Sequence, residues 1–508
     1  MKATLPPHPF YLSTAEQSQQ MDKATIEQFG IDGFTLMEVA GSSAAKRLLD
    51  ELPANAHGLY LCGKGNNAGD ALVVARYLIQ HGHAATLLFI NGTEELSDDT
   101  EQNLELLRKI AEHDSTSAPV TIINGWPQFK KSGLAELDFI VDGMLGTGLN
   151  SELRGDYAKA VAWANEVDRP IYSIDIPTGL HANTGQIMGM AIQASTTYTF
   201  GSQKLGFYLE DGYSCTGEID LCELPFPNYL KTCNNFLLDR SWVNEPEYPP
   251  AKHKYDAGAL YLIAGSEGLT GAAILSARSA WAAGVGAVII ICPRGILPVF
   301  EHTLPQIIKK PVGTPDDTSL SIEQLDSVIQ IIDEKPGNVL FGPGIGRAPS
   351  TLQFSTAFFE QFTGRLLIDA DGLWCLGQQQ NWQKPDQASW ILTPHPGELA
   401  KLSSSSFDDG GERLETVREI SSTKNITVVS KGFPSVIGTP SGKCLLTRYD
   451  TRVFARAGFG DILAGKIGAY WSLGNPPAKS AALGLLHGYE KKKSSNKKNR
   501  FLEPNDLI

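Results

Sequence analysis

The chain of 508 residues has no Cys-x-x-Cys pair: its seven cysteines (Cys62, Cys215, Cys222, Cys233, Cys292, Cys375 and Cys444) are scattered and odd in number. That excludes a disulfide framework and a zinc knuckle and points to reduced thiols. It also lacks a basic excess. With 43 lysines and arginines against 56 aspartates and glutamates the formal charge is −13, which leaves no cationic footprint for nucleic acid or an anionic membrane. No apolar run approaches the ~18 residues of a spanning helix. Pro6, Pro7 and Pro9 interrupt the stretch that a secretory leader would need unbroken, so a cytoplasmic protein is expected. Charge is sparse at 19% beside 42% hydrophobic residues, which excludes disorder by composition. At roughly 100–200 residues per domain, the length implies about two to four domains.

What is abundant is glycine, 50 in all, placed mostly just after short apolar runs. From Leu59 to Phe200 the order is strand, Gly-rich turn, amphipathic segment, repeated: LYLCGKGNNAGD, ATLLFINGT, DFIVDGMLGTG, PIYSIDIPTG, TYTFGSQK. Such alternation predicts parallel βαβ units in a doubly wound α/β sheet. Two earlier segments, TAEQSQQMDKATIEQ and TLMEVAGSSAAKRLLDEL, read as helices packed on it. Between Leu224 and Lys254 the chain turns Pro-rich and irregular, which predicts a linker with a boundary near Asp239. A second series follows: ALYLIAGS, GAVIIICP, NVLFGPGIG, RLLIDADG, WILTPHPGE and ITVVSKG as buried parallel strands, then SVIGTPSGKCLLT as an exposed antiparallel ribbon. Trp281 among its alanines reads as helix core, His81 and His83 as a helix end, and the basic run after Tyr489 as a solvated helix terminus.

Four places carry chemistry. GKGNNAGD (Gly63–Asp70) lies at a strand-to-helix junction where glycines let the main chain approach a phosphate, and a helix starting near Asp70 offers unpaired N–H groups. Gly63, Gly65 and Ala68 meet a loose G-x-G-x-x-G/A pattern, while Asn66 and Asn67 add amide oxygens suited to a hard cation or a ligand's polar edge. Asp142 and Asp175 stand at strand carboxyl ends, where open α/β sheets bind ligands. Asn67, Asp142 and Thr178 on one rim suggest an oxygen-donor site for potassium, magnesium or calcium. In the second half, Asp369, Asp371 and the proline-flanked His395 follow strands. Gly458-Phe459-Gly460-Asp461 opens a long helix whose N–H groups can hold an anion beside a carboxylate base, and Lys431 can meet a phosphate.

These motifs in this order resemble the bifunctional NAD(P)H-hydrate repair enzymes. LMEVAG (Leu36–Gly41), GKGNNAGD, VDGMLGTGL, SIDIPTGL and FGSQKLG (Phe200–Gly206) carry the likeness in the first half. GSEGLTGAA (Gly265–Ala273), GPGIG, DADGL, LTPHPGE, KGFPS and GFGDILAG carry it in the second. The resemblance implies an N-terminal Rossmann-like epimerase domain over 1–239 and a C-terminal ribokinase-like, ADP-dependent dehydratase domain over 240–508. The substrates implied are NADHX and NADPHX, the R and S hydrates of NADH and NADPH. Asn66, Asn67, Ala68, Gly69 and Asp70, together with Gly146, Thr147, Gly148, Leu149, Asn150, Ser151 and Glu152, would bind the hydrate. Asp175 would be its acid/base, and Asn67, Asp142 and Thr178 would hold potassium. In the second domain Asp461 would deprotonate the substrate hydroxyl. Gly458 and Gly460 would cradle the phosphoryl group, and Lys431, Gly432, Phe433, Pro434 and Ser435 would take ADP with magnesium. Ala272, Gly344, Gly346 and His395 would hold the hydrate. A homo-oligomer without nucleic-acid or membrane partners is expected. Three residues depart from the family pattern: Ala68 and Ala71 stand where glycine is usual, and Phe459 stands where threonine or serine is. The alternatives are a ribokinase-like small-molecule kinase with a non-catalytic N-terminal binding domain, or a decayed binding module.

Overall fold

The computed structural model describes residues 10–114, 117–130, 136–246, 248, 253, 255–495, 497 and 501–508. Parts of the expected linker (247, 249–252, 254) and of the basic tail (496, 498–500) lie outside the described residues. The chain separates into two compact units, Met1–Asn235 and Phe236–Ile508. Within the stretch expected as linker, Asn235–Leu238 is a buried strand.

The first unit is built on seven parallel strands: β1 (His57–Cys62), β2 (Ala84–Phe89), β3 (Val120–Asn124), β4 (Phe139–Gly143), β5 (Ile171–Ile174), β6 (Thr196–Phe200) and β7 (Glu218–Cys222). Their order is β3-β2-β1-β4-β5-β6-β7. The chain grows outward from β1 on one side, then returns to its other side at β4, and that reversal opens a crevice above the carboxyl ends of β1 and β4. All five residues of β4 and β6 are buried, the reading of a strand covered on both faces. Helices α1 (Ala15–Ala24), α2 (Gly33–Glu51) and α3 (Asn66–Gln80) bring residues to the crevice. α3 begins at Asn66, four residues before the expected start, with Gly65 at its N-cap. Gly63 is required by close approach: a Cβ there would stand 1.9 Å from the Met144 carbonyl oxygen.

The second unit holds β8 (Ala259–Ile263), β9 (Ala287–Pro293), β10 (Ile308–Val312), β11 (Asn338–Phe341), β12 (Arg365–Ile368), β13 (Ser389–Leu392), β14 (Thr427–Ser430), β15 (Val436–Gly438) and β16 (Cys444–Thr447). They run in the order β10-β9-β8-β11-β12-β13-β14-β15-β16. The first seven are parallel and the last two antiparallel. The β15–β16 ribbon is buried throughout, against the expectation of exposure, because helices Gly410–Thr423 and α6 (Pro477–Ser494) pack on it. Trp281 is 52% exposed and so is not helix core. Helices α4 (Thr270–Ala282) and α5 (Phe459–Ser472) cross closely through small residues: a Cβ on Gly465 would meet the Ser276 carbonyl oxygen at 2.3 Å. Ser276 Oγ donates to the Asp461 carbonyl (3.0 Å) and Ser279 Oγ to that of Ile462 (2.6 Å), which fixes the first turn of α5.

Candidate active sites

In the first unit a cavity of about 570 Å³ opens over the sheet's switch point. Asn66, Asn67, Asp70, Gly146, Thr147, Gly148 and Asp175 line it, as the sequence led us to expect. Asp22, Lys204 and Asp99 line it too, without having been anticipated. Asp175 sits just past β5 in the left-handed region (φ 63°), a conformation that a non-glycine residue holds only where its surroundings impose it. Here they do. Lys204, 1% exposed, directs its Nζ to Asp175 Oδ1 (2.6 Å), Thr199 Oγ1, and the carbonyls of Phe200 and Ser202 (each 3.1 Å). Phe200 N also donates to Asp175 Oδ1 (3.2 Å), so one carboxylate oxygen is fully engaged and the other is left for a ligand. Burial, then the neighbouring Asp175 and Asp22, push the Asp70 carboxyl well above the usual range. Burial likewise pushes Asp22 up to about 6, with Lys204 pulling against it and Asp175 adding to it.

Asn67 and Thr178 meet at Leu145 in the cavity wall, and Asp142 binds Thr178 beneath them. Asn67 Nδ2 donates to the Leu145 carbonyl (3.1 Å), and Leu145 N donates to Thr178 Oγ1 (3.0 Å). Asp142 is wholly buried and accepts only from neutral groups: Thr178 Oγ1 (2.7 Å), Thr178 N (2.8 Å), Ser173 Oγ (3.0 Å) and Met144 N (3.3 Å). Burial raises its pKa against these bonds, and no lysine or arginine among the described residues pairs with it. A buried carboxylate lacking a counter-cation, with amide, hydroxyl and carbonyl oxygens beside it, fits a hard cation.

Other candidates lie outside the cavity lining. Ala68 and Ala71 are buried in the core rather than facing the cavity, Ala71 against Gly143, and Gly69 faces Met37 and Thr100. Leu149, Asn150, Ser151 and Glu152 are outside the lining, and the next residue, Leu153, donates its N–H to the Met188 carbonyl (3.0 Å). Asp142 and Thr178 lie beneath the cavity and not in its lining.

The second unit has a cavity of about 720 Å³ lined by Ala272, Gly344, Asp369, His395, Lys431, Gly432, Phe433, Ser435, Gly458, Gly460 and Asp461, among others. Lys431 pairs with Asp369 (2.7 Å), and Thr393 Oγ1 donates to the same carboxylate oxygen (2.7 Å). Burial opposes the charge on Lys431, but Asp369 and Glu398 outweigh it and hold its pKa above the ordinary value. Burial, together with Asp369, pushes Asp461 up to about 7, with Lys431 pulling the other way. Gly458 caps α5 in the left-handed region (φ 92°); Phe459 N donates to the Arg456 carbonyl (3.4 Å), and Gly460 and Asp461, next in the opening turn, line the cavity. Phe459 lines this cavity and packs its ring against Ile462, Leu502 and Leu507.

His395 is the N-cap of a helix and also lines the cavity. Its Nδ1 accepts from Gly397 N (3.0 Å) and Glu398 N (3.3 Å) as the N-cap of helix Pro396–Ser403, Nε2 lies 3.5 Å from Glu398 Oε1, and burial beside Lys431 lowers its pKa. Gly346 and Pro434 are outside the lining. Gly346 N holds Asp371 (3.1 Å), which also pairs with Arg347 (2.7 Å), and the Pro434 carbonyl is bound by Arg413 (2.7 Å). Sequence reasoning passed over Lys204, the one charged residue of FGSQKLG. Asp22, one carboxylate on a polar helix face, gave no signal.

Residues 33–206 match the family model described as YjeF-related protein N-terminus, and residues 260–508 match that of NAD(P)H-hydrate dehydratase. The bifunctional NAD(P)H-hydrate repair enzyme Nnr of Salinibacter ruber is 33% identical over 494 residues, covering 94% of this chain and 90% of the relative. That of Moorella thermoacetica is 31% identical over 94% and 91%. Among solved structures, the ADP/ATP-dependent NAD(P)H-hydrate dehydratase from Bacillus subtilis, co-crystallised with ATP and Mg2+, is 22% identical and covers 53% of this chain and 94% of its own, with a TM-score of 0.45.

Proposed function

The chain belongs to the family of bifunctional NAD(P)H-hydrate repair enzymes, and from that premise we propose how its two cavities divide the work. The protein repairs damaged nicotinamide cofactors: it epimerises the R and S hydrates and dehydrates the S form to NAD(P)H. The first unit is the epimerase and the second the ADP-dependent dehydratase.

In the epimerase cavity Asp175 moves the proton of the hydroxyl on the hydrated ring carbon. Lys204 holds one carboxylate oxygen in place so that the other faces the substrate. Asn66, Asp70 and the Gly146–Gly148 segment bind the polar edges of the hydrate. Asn67, Asp142 and Thr178 would hold potassium, which supplies the positive charge that balances Asp142 and stiffens the loop at Leu145.

In the dehydratase cavity Asp461 takes the proton of the substrate hydroxyl as its oxygen bonds to the β-phosphorus of ADP and AMP leaves. The first N–H groups of α5 and the Lys431 ammonium stabilise the transferring phosphoryl group. The ring nitrogen's lone pair then expels phosphate, and loss of a proton from the adjacent ring carbon restores the dihydropyridine. Among the described residues no cluster of three His, Cys, Asp or Glu side chains could hold a metal. Magnesium therefore fits best as the nucleotide's own ion, neutralising phosphate charge.

The observation that supports this reading most is the meeting of Asp461, Lys431 and a helix N-terminus in one cavity of a chain that also carries the Asp175 cavity. Its test is to supply purified protein with mixed R and S hydrated NADH, potassium, magnesium and ADP, and to follow the return of reduced-nicotinamide absorbance. Full recovery is expected. Recovery stopping at the S fraction would overturn the epimerase half, and consumption of ADP with release of a stable phosphorylated product would favour the kinase alternative.

A further inference from the structure

Lys466, on α5, is 4% exposed and lines the dehydratase cavity, yet it makes no hydrogen bond or ion pair with any described residue. A buried ammonium without an acceptor is costly, and burial, with Lys491 adding and Glu490 opposing, pushes its pKa down to about 8. The mechanism above does not use it.

Its place in the cavity narrows what would satisfy it. Along α5 it lies six residues past Gly460, roughly 9 Å at ~1.5 Å per residue from the turn that faces the phosphoryl group. The cavity wall here carries Tyr449, stacked on Tyr489, with Leu485 and Gly488, the last with open space where a side chain would stand. His487, Glu490 and Lys491 lie near enough to act on the ammonium without bonding to it. This end is continuous with the Lys431–Ser435 loop. Thr447 N donates to the Ser435 carbonyl (3.0 Å) and Thr451 Oγ1 donates to that of Gly432, so the segment bearing Tyr449 is tied to the loop at both ends. Ala272, Gly344 and His395 belong to other elements of the wall.

We propose that Lys466 recognises the nucleobase of the nucleoside diphosphate, donating to a ring nitrogen or carbonyl acceptor of a planar base seated between Tyr449, Leu485 and the gap at Gly488. This rests on the reading of the cavity as a nucleotide site. An ammonium only donates, so a base edge bearing an acceptor is favoured over one bearing an amino group.

Titration calorimetry of the full chain with adenosine and with ADP, for wild type, Lys466→Met and Lys466→Gln, tests it. Lys466→Met is expected to weaken both ligands by the same factor, about tenfold, and Lys466→Gln, which keeps a donor, by less. Unchanged affinities in Lys466→Met would overturn the inference. So would weakening of ADP alone, which would place Lys466 on the phosphates. A wild-type protein that binds neither ligand would overturn the nucleotide reading itself, and this inference with it.

Discussion

Asp461 with its pKa near 7 is a usable base at neutral pH and a burden on the fold above it. Dehydration should rise as pH increases through about 7, because only the ionised form accepts the hydroxyl proton; a pH–rate profile of pure S hydrate checks this. The folded state holds that proton more tightly than the unfolded chain does. Its contribution to stability is therefore complete below about pH 4 and lost as pH rises through about 7. Asp461→Asn should accordingly abolish dehydration yet melt at a higher temperature than wild type at pH 8, by on the order of 1–2 kcal/mol after solvent screening, with no difference at pH 4. Lys204→Met should shift stability the other way in the first unit. Leaving Asp175 beside Asp22 and Asp70 without its cation costs about 3 kcal/mol and stops epimerisation, measured by denaturant unfolding and by interconversion of the hydrates. At this scale the sequence was informative where a motif fixed the backbone, as at Asp175 and Asp461. It was silent where a partner came from a distant helix, as with Asp22.

Among the elements, strands after apolar runs and helices after Gly-rich turns were legible because their periods differ. Boundaries and burial were not. α3 starts at Asn66 because glycine at 65 serves as the N-cap, so the tandem asparagines stand in a helical turn and not before it. The alternating ribbon β15–β16 reads as half-exposed, but helices from both flanks cover it, which no local pattern records. The departures at Ala68 and Ala71 concern packing between elements: a Cβ on Gly143 would come within 2.5 Å of the Ala71 Cβ. Gly143→Ala should therefore destabilise the first unit by about 1–3 kcal/mol, and Ala71→Gly should relieve most of that, a coupling that a double-mutant cycle by chemical denaturation measures.

The molecule carries two chemically separate sites. Asp175→Asn should stop epimerisation while pure S hydrate is still dehydrated at the wild-type rate; slowing of that second reaction would contradict independent sites. The close crossing of α4 and α5 bears on how such a chain is made. Ser276 and the Asp461 carbonyl that it holds are 185 positions apart. At about 5–20 residues per second of synthesis, α4 waits roughly ten to forty seconds for the helix that covers it. The residues of α4 buried in the finished fold are Ala273, Ser276, Ala277, Ser279 and Ala280, with Leu275 beside them against Phe459, so the nascent chain shows the ribosome's surroundings a mostly small-residue, weakly adhesive strip. The same small side chains that later bring two backbones close enough to aim the Asp461 carboxyl spare the unfinished protein from sticking to its neighbours.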